Sequence, residues 1–228
     1  MRPVLNLLMQ LGPSQIRELP AVRPADARGA TAAVYAQMRR DFGLIAPPVA
    51  LHAVSPPVLA AAWMLLRETL VADDAGRTAK EVVATGVSEG NSCRYCAEIH
   101  GGAVSELTGG GDEEGRHLAD WARETARPGP LPPAPCAAAD LPGVMGTAIA
   151  FHYLNRMVEV FLPPSAVPAA APPAVRHRIV RVLTSATVRE VPPARPGESL
   201  ELLPDAPLPP EFGWAAPSPA VAGALARA

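Results

Sequence analysis

The chain has 228 residues, of which 49% are apolar and 18% charged, with a formal net charge of −2. That balance excludes disorder of the whole chain and, with no dense basic run, argues against a nucleic-acid partner. Apolar runs stop short of the roughly 18 residues of a membrane span, and residues 1–12, interrupted by Asn6 and Gln10, lack the features of a signal peptide. A cytoplasmic protein without a membrane anchor is the expectation. Its three cysteines cannot all pair, and in a reducing compartment closely spaced cysteines point to metal or redox chemistry.

Proline sets the layout. It interrupts helices because it has no N–H and its ring clashes with the preceding turn. Of the 28 prolines, eight lie at or before Pro57, twenty lie at or after Pro128, and none falls between. Residues 1–26 read as an arm. A first helix is expected over residues 27–42, ending at Gly43, and a short helical turn over 49–54. Ser55 stands where a cap belongs, with Pro56 and Pro57 in the tolerated first turn. The helix they open should run to about Val71, with Leu59, Trp63, Leu66 and Leu70 on one face.

Asp73 and Asp74 are placed to cap the next helix, residues 75–89, whose Ala79, Val82, Val83 and Val87 fall at helical spacing. After the break at Gly90 and Asn91, Ser92 is placed to cap a helix from Cys93 to about Leu107, which the glycines at 109–111 end. Asp112 should start another helix, to Arg127. Residues 128–142 hold six prolines and read as a loop. Helices are expected again over 144–162 and 174–189, and residues 199–203 alternate weakly with period two. The fold class is all-α: a helical domain over 27–190, then a proline-rich segment over 191–228. Ser218-Pro219-Ala220-Val221 echoes Ser55-Pro56-Pro57-Val58. The echo is either a coincidence of Ala/Pro-rich sequence or the start of a second helical repeat cut short at Ala228.

Residues 81–100 carry the chemistry. Cysteines three apart can close a disulfide at a helix start, and Cys93, Cys96 and His100 share one helix face. Unpaired N–H groups and the helix dipole favour thiolate there, and His100 can take a proton from Cys96 directly or through water. A zinc site would need four ligands, and only Cys136 in a proline loop could join these three. Covalent haem would need histidine directly after the second cysteine, where Ala97 stands. Spacing alone also fits two small buried thiols and a satisfied histidine. Glu81 lies on the preceding helix, in a polar stripe with Thr78, Thr85 and Ser88. By itself it reads as solvated or arginine-paired.

Glutamate, eleven residues, Cys-x-x-Cys, three residues and histidine: this pattern resembles the core motif of alkylhydroperoxidase D-like proteins of the carboxymuconolactone decarboxylase family. The resemblance spans about residues 47–107. It implies an all-α helical bundle that assembles as homotrimers or hexamers, and a thiol peroxidase or disulfide oxidoreductase without a bound cofactor. Cys96 would attack a hydroperoxide and Cys93 would resolve it to a Cys93–Cys96 disulfide. Glu81 and His100 would relay protons. A lipoyl-bearing or thioredoxin-like dithiol protein would then reduce the disulfide.

Some members have histidine before the second cysteine, where this chain has Tyr95. His152 is the candidate to replace that relay group, although a lone histidine on an apolar helix is more often structural. Cys136 reads as a free thiol without a role, and His52, His117 and His177 as surface or packing residues. Two rival readings remain. One is a redox-responsive binding or scaffold protein with negligible turnover. The other is a decarboxylase- or isomerase-like enzyme using Glu81 and His100 as acid and base.

Overall fold

A computed structural model describes residues 13–72, 76–109, 115–167, 170–188 and 193–228. Among these residues every regular element is a helix. Helix α1, Gly29–Asp41, buries Val34, Tyr35 and Met38 on one stripe. Pro47–Ala50 (α2) runs into a 3-10 turn, Leu51–Val54. Helix α3, Pro56–Leu66, begins with both prolines in its first turn, as expected. Ser55 holds the extended cap conformation there, but its side chain makes no capping bond. The helix continues as a π turn over Arg67–Val71, so Leu59, Trp63, Leu66 and Leu70 all reach the core.

Helix α4, Arg77–Gly90, is the centre of the body, packed against the three long helices that follow. The expected Asp73–Asp74 cap lies outside the described residues, and Gly76, with φ at +88°, leads into the first turn. Two glycines let α6, Gly115–Glu124, approach closely. A Cβ at Gly86 would lie 2.7 Å from the Ala119 carbonyl oxygen, and one at Gly90 2.6 Å from that of Arg123. Because α4 is covered on most sides, Glu81 and Ser88 of its polar stripe are buried and Thr78 and Thr85 half-buried.

Helix α5, Arg94–Thr108, starts one residue later than expected. Ser92 is in the left-handed region (φ +60°) and turns the chain, so Cys93 takes the N-cap position in its place. Gly109, at φ +67°, ends the helix in the conformation that glycine adopts at least cost. The expected start of α6 at Asp112 lies outside the described residues. Helices α7, Leu141–Phe161, and α8, Pro173–Val188, match their expected positions closely.

Where period two hinted at a strand, Leu200–Leu202 is a 3-10 turn. Residues 193–228 lie against the body. The buried Glu68 carboxylate accepts from the Gly197 and Ser199 N–H groups and the Ser199 hydroxyl, beside the equally buried Arg67. Helix α9, Pro219–Arg227, packs on α3 and α7. Its Ser218 does cap, accepting from the Val221 N–H.

Candidate functional site

The turn at 91–93 folds α5 back along α4, which brings His100 to Glu81. The His100 Nδ1–H donates to Glu81 at 2.7 Å, leaving Nε2 free to take a proton. Phe151 from α7 stacks edge-on against the imidazole at 4.5 Å and fixes its plane. The Arg77 Nε–H, one turn earlier on α4, donates to the other Glu81 oxygen at 2.9 Å. Burial would raise the Glu81 carboxyl. The charges of Arg77 and His100 outweigh it and hold the pKa at about 2. The arginine pairing considered for Glu81 is therefore real, and it coexists with the bond to His100.

Cys93 and Cys96 are free and buried thiols. The adjoining Cys96 thiol lowers the Cys93 thiol against the cost of burial, and the backbone N–H groups of Cys96 and Tyr95 in the first turn of α5 add to that. The adjoining Cys93 thiol, with burial, pushes the Cys96 thiol well up. The dipole argument applied to both cysteines thus holds in full only for Cys93. Of the pair, Cys93 is the readier thiolate.

The two sulfurs open on different sides. Cys96 and His100 line a cavity of about 80 Å³ whose other walls are mainly apolar, among them Phe42, Ile45, Leu66, Ile99, Phe151 and Leu154. Tyr95 is a further wall, anchored through its hydroxyl to Gln15 of the N-terminal arm at 3.2 Å. Cys93 instead borders a separate depression with Arg17, Arg94, Glu159 and Pro163.

His152 does not line the Cys96 cavity. It faces another pocket, beside Thr125 and the proline-rich loop, and bonds Asn91 and Thr125. His52 is buried, held by the Val49 carbonyl and the Tyr153 hydroxyl, so packing explains it. His117 and His177 are exposed. Asn155 went unnoticed in the sequence: it is fully buried, donates to Ser88 Oγ at 3.2 Å and accepts from the Asn91 amide at 3.0 Å. The signal for it was an amide inside the apolar α7. Among the described residues no three His, Cys, Asp or Glu side chains gather as a metal site would require.

An all-α body that starts a helix with Cys-x-x-Cys and sets a Glu–His dyad against it has the organisation of the alkylhydroperoxidase D-like proteins. The chain is similar to those proteins in sequence as well. It is 33% identical, over 226 aligned residues and 92% of its length, to an alkyl hydroperoxide reductase of Mycobacterium tuberculosis. It spans 64% of the length of that relative. No protein-family model and no solved structure matches the chain. Among the described residues, no helix is long and apolar enough to cross a membrane.

Proposed function

We propose that this protein reduces organic hydroperoxides with Cys96 and Cys93 and is recycled by a dithiol protein. One observation carries the reading: Cys96 and the free Nε2 side of the Glu81–His100 dyad meet at an apolar cavity. A small alkyl hydroperoxide would bury its alkyl group against Ile45, Leu66 and Phe151 and bring its O–O bond to the sulfur. The relative's name, alkyl hydroperoxide reductase, supports the same substrate class.

The steps follow from the proton positions. His100 Nε2 takes the Cys96 proton as the sulfur attacks the distal peroxide oxygen. The O–O bond breaks, the alkoxide receives a proton from His100 and leaves as alcohol, and Cys96 becomes a sulfenic acid. Glu81 stays ionised and steadies the imidazolium formed on the way. Cys93 gives up its proton and attacks the Cys96 sulfur as thiolate; the S–O bond breaks and the leaving hydroxide takes up that proton as water, giving the disulfide. A dithiol such as a lipoyl-bearing or thioredoxin-like protein returns both thiols and is itself oxidised to a disulfide.

A second reading has its own support. Cys93 is the readier thiolate and borders its own depression, so it could attack first and Cys96 resolve. Single-turnover reaction with cumene hydroperoxide, followed by dimedone trapping and peptide mass spectrometry, separates the two. The expected result is a trapped sulfenic acid on Cys96 in Cys93→Ser and no steady-state turnover in Cys96→Ser. Trapping on Cys93 in Cys96→Ser, with none on Cys96, reverses the roles. Undiminished turnover after both cysteines become serine rejects thiol chemistry in favour of acid–base catalysis.

A further inference from the structure

The two cysteines of the motif do not share an opening. Cys96 lines the apolar cavity with His100, Cys93 lines the depression bounded by Arg17, Arg94 and Glu159, and neither cysteine lines the other's space. Tyr95 stands between them as a wall of both. It is buried, and its hydroxyl donates to Gln15 Oε1 at 3.2 Å. The N-terminal arm crosses at the same place: Gln15 lines the cavity, and Arg17 lines the depression. The Arg17 N–H donates to the Phe161 carbonyl at 2.8 Å, which pins the arm to the end of α7. Tyr95 and the arm together form a partition.

The two spaces suit different reactants. The cavity holds about 80 Å³ between mainly apolar walls. The depression holds about 260 Å³, and its rim carries the exposed charged side chains Arg17, Arg94 and Glu159. A small alkyl group gains by entering the first, because it leaves water without stranding a polar group. A dithiol borne by a protein is too bulky for that cavity, and the wider, charged depression admits its sulfur. Thiol–disulfide exchange adds a direction. A thiolate attacks a disulfide sulfur in line with the bond it breaks, so attack on Cys93 comes from the side away from Cys96. The depression borders Cys93 alone of the two, as that approach requires.

We propose that the two reactants use separate entrances: hydroperoxide reaches Cys96 through the apolar cavity, and the reducing dithiol reaches Cys93 through the depression, with Tyr95 as the partition between them. The inference rests on the proposed peroxidase cycle and adds which sulfur the reductant attacks. One donor thiol gives its proton to water and attacks the Cys93 sulfur. The S–S bond breaks, and Cys96 leaves with the electron pair and takes a proton through His100, which lines the same cavity. The donor's second thiol, deprotonated in turn, attacks the donor sulfur of the mixed disulfide. Cys93 leaves and takes a proton from water, so both protein thiols are restored and the donor is oxidised to its own disulfide. The partition keeps the reductant from the Cys96 sulfenic acid, so resolution by Cys93 precedes reduction.

The test reads which sulfur a bulky thiol attacks. The native full-length chain is oxidised with diamide, freed of it, mixed briefly with glutathione and quenched with excess N-ethylmaleimide. Trypsin cuts after Arg94 and so puts the two cysteines on separate peptides. Mass spectrometry then shows which cysteine carries glutathione and which the maleimide. At least about tenfold more glutathione is expected on Cys93 than on Cys96, because access decides which sulfur is attacked. Equal amounts, or more on Cys96, overturn the proposal.

Tyr95→Ala removes the partition and should bring the two amounts close together. An undiminished preference for Cys93 in that variant, folded by circular dichroism, overturns the role of Tyr95. If the variant does not fold, Gln15→Ala decides, since it takes away only the anchor of the Tyr95 hydroxyl: the Cys96 share should rise, and an unchanged ratio overturns the partition. Because diamide makes the disulfide, the readout is independent of peroxidase activity. If cumene hydroperoxide forms no disulfide but the diamide-oxidised protein takes glutathione at Cys93, the proposed function fails and the Cys93 entrance stands.

Discussion

Replacing Glu81 by glutamine tests the dyad most directly, because it keeps the shape and removes only the charge. The carboxyl is 1% exposed and held at about 2, against 4.5 for an ordinary glutamate. At roughly 1.4 kcal/mol per pH unit, that difference is worth about 3 kcal/mol of folding stability. The size agrees with the roughly 3–5 kcal/mol lost when one partner of a buried ion pair is removed. Its sign with pH is fixed. A lowered carboxylate stabilises the fold fully above 4.5, and the contribution fades as pH falls toward 2.

Urea unfolding of the native protein and Glu81→Gln at pH 7 and pH 3 reads this out. The variant should be less stable by about 3 kcal/mol at pH 7, and the gap should shrink to about half at pH 3, part-way through the titration. Hydroperoxide turnover should fall by about 10²- to 10⁴-fold, the usual contribution of a positioned acid–base group, because His100 loses the carboxylate charge that would steady its imidazolium. A gap under 1 kcal/mol at pH 7, or one equally large at both pH values, would refute the electrostatic account of Glu81. An unchanged turnover would remove the dyad from the mechanism.

Two further substitutions test the frame around the site. Gly86→Val puts branched carbons where even a Cβ would lie 2.7 Å from the Ala119 oxygen and the Ala122 side chain, so α4 and α6 must part. A loss of at least about 1–3 kcal/mol is expected in thermal unfolding, and an unchanged melting temperature would show that the contact is loose. Glu68→Gln removes one of three carboxylates on the fully buried Arg67, which keeps Asp41 and Glu198, and weakens the acceptor for Gly197 and Ser199. It should cost about 1–3 kcal/mol and speed proteolytic release of residues 193–228, which resistance equal to that of the native chain would contradict.

What the sequence disclosed and what it concealed divide along physical lines. Helix positions were legible because proline and glycine act locally: Pro56 and Pro57 open α3 and Gly109 closes α5 whatever surrounds them. The stripe Leu59, Trp63, Leu66 and Leu70 was legible because burial follows the helical period. Ser92 misled because serine caps well on average, whereas here its left-handed backbone makes the turn and passes the cap position to Cys93. At Ser199 to Leu203 a two-residue period over so short a run could not compete with the turn that brings Ser199 to Glu68.

The ordering of the two thiols was not legible, and the reason bears on the mechanism. A helix dipole read from sequence acts on both cysteines alike, and spacing says nothing of which thiol is the more acidic. The fold sets the order: Cys93, at the cap beside the first-turn N–H groups, is lowered, and Cys96, a turn deeper at the apolar cavity, is raised. Cys96 is therefore the less acidic thiol at the point where a substrate can reach, and under the proposed mechanism it needs a base to take its proton. His100, one turn along α5, lines the same cavity and lay within the motif. Asn155, 59 residues beyond Cys96, has no local signature, because its burial depends on the contact between α4 and α7 that brings it to Ser88.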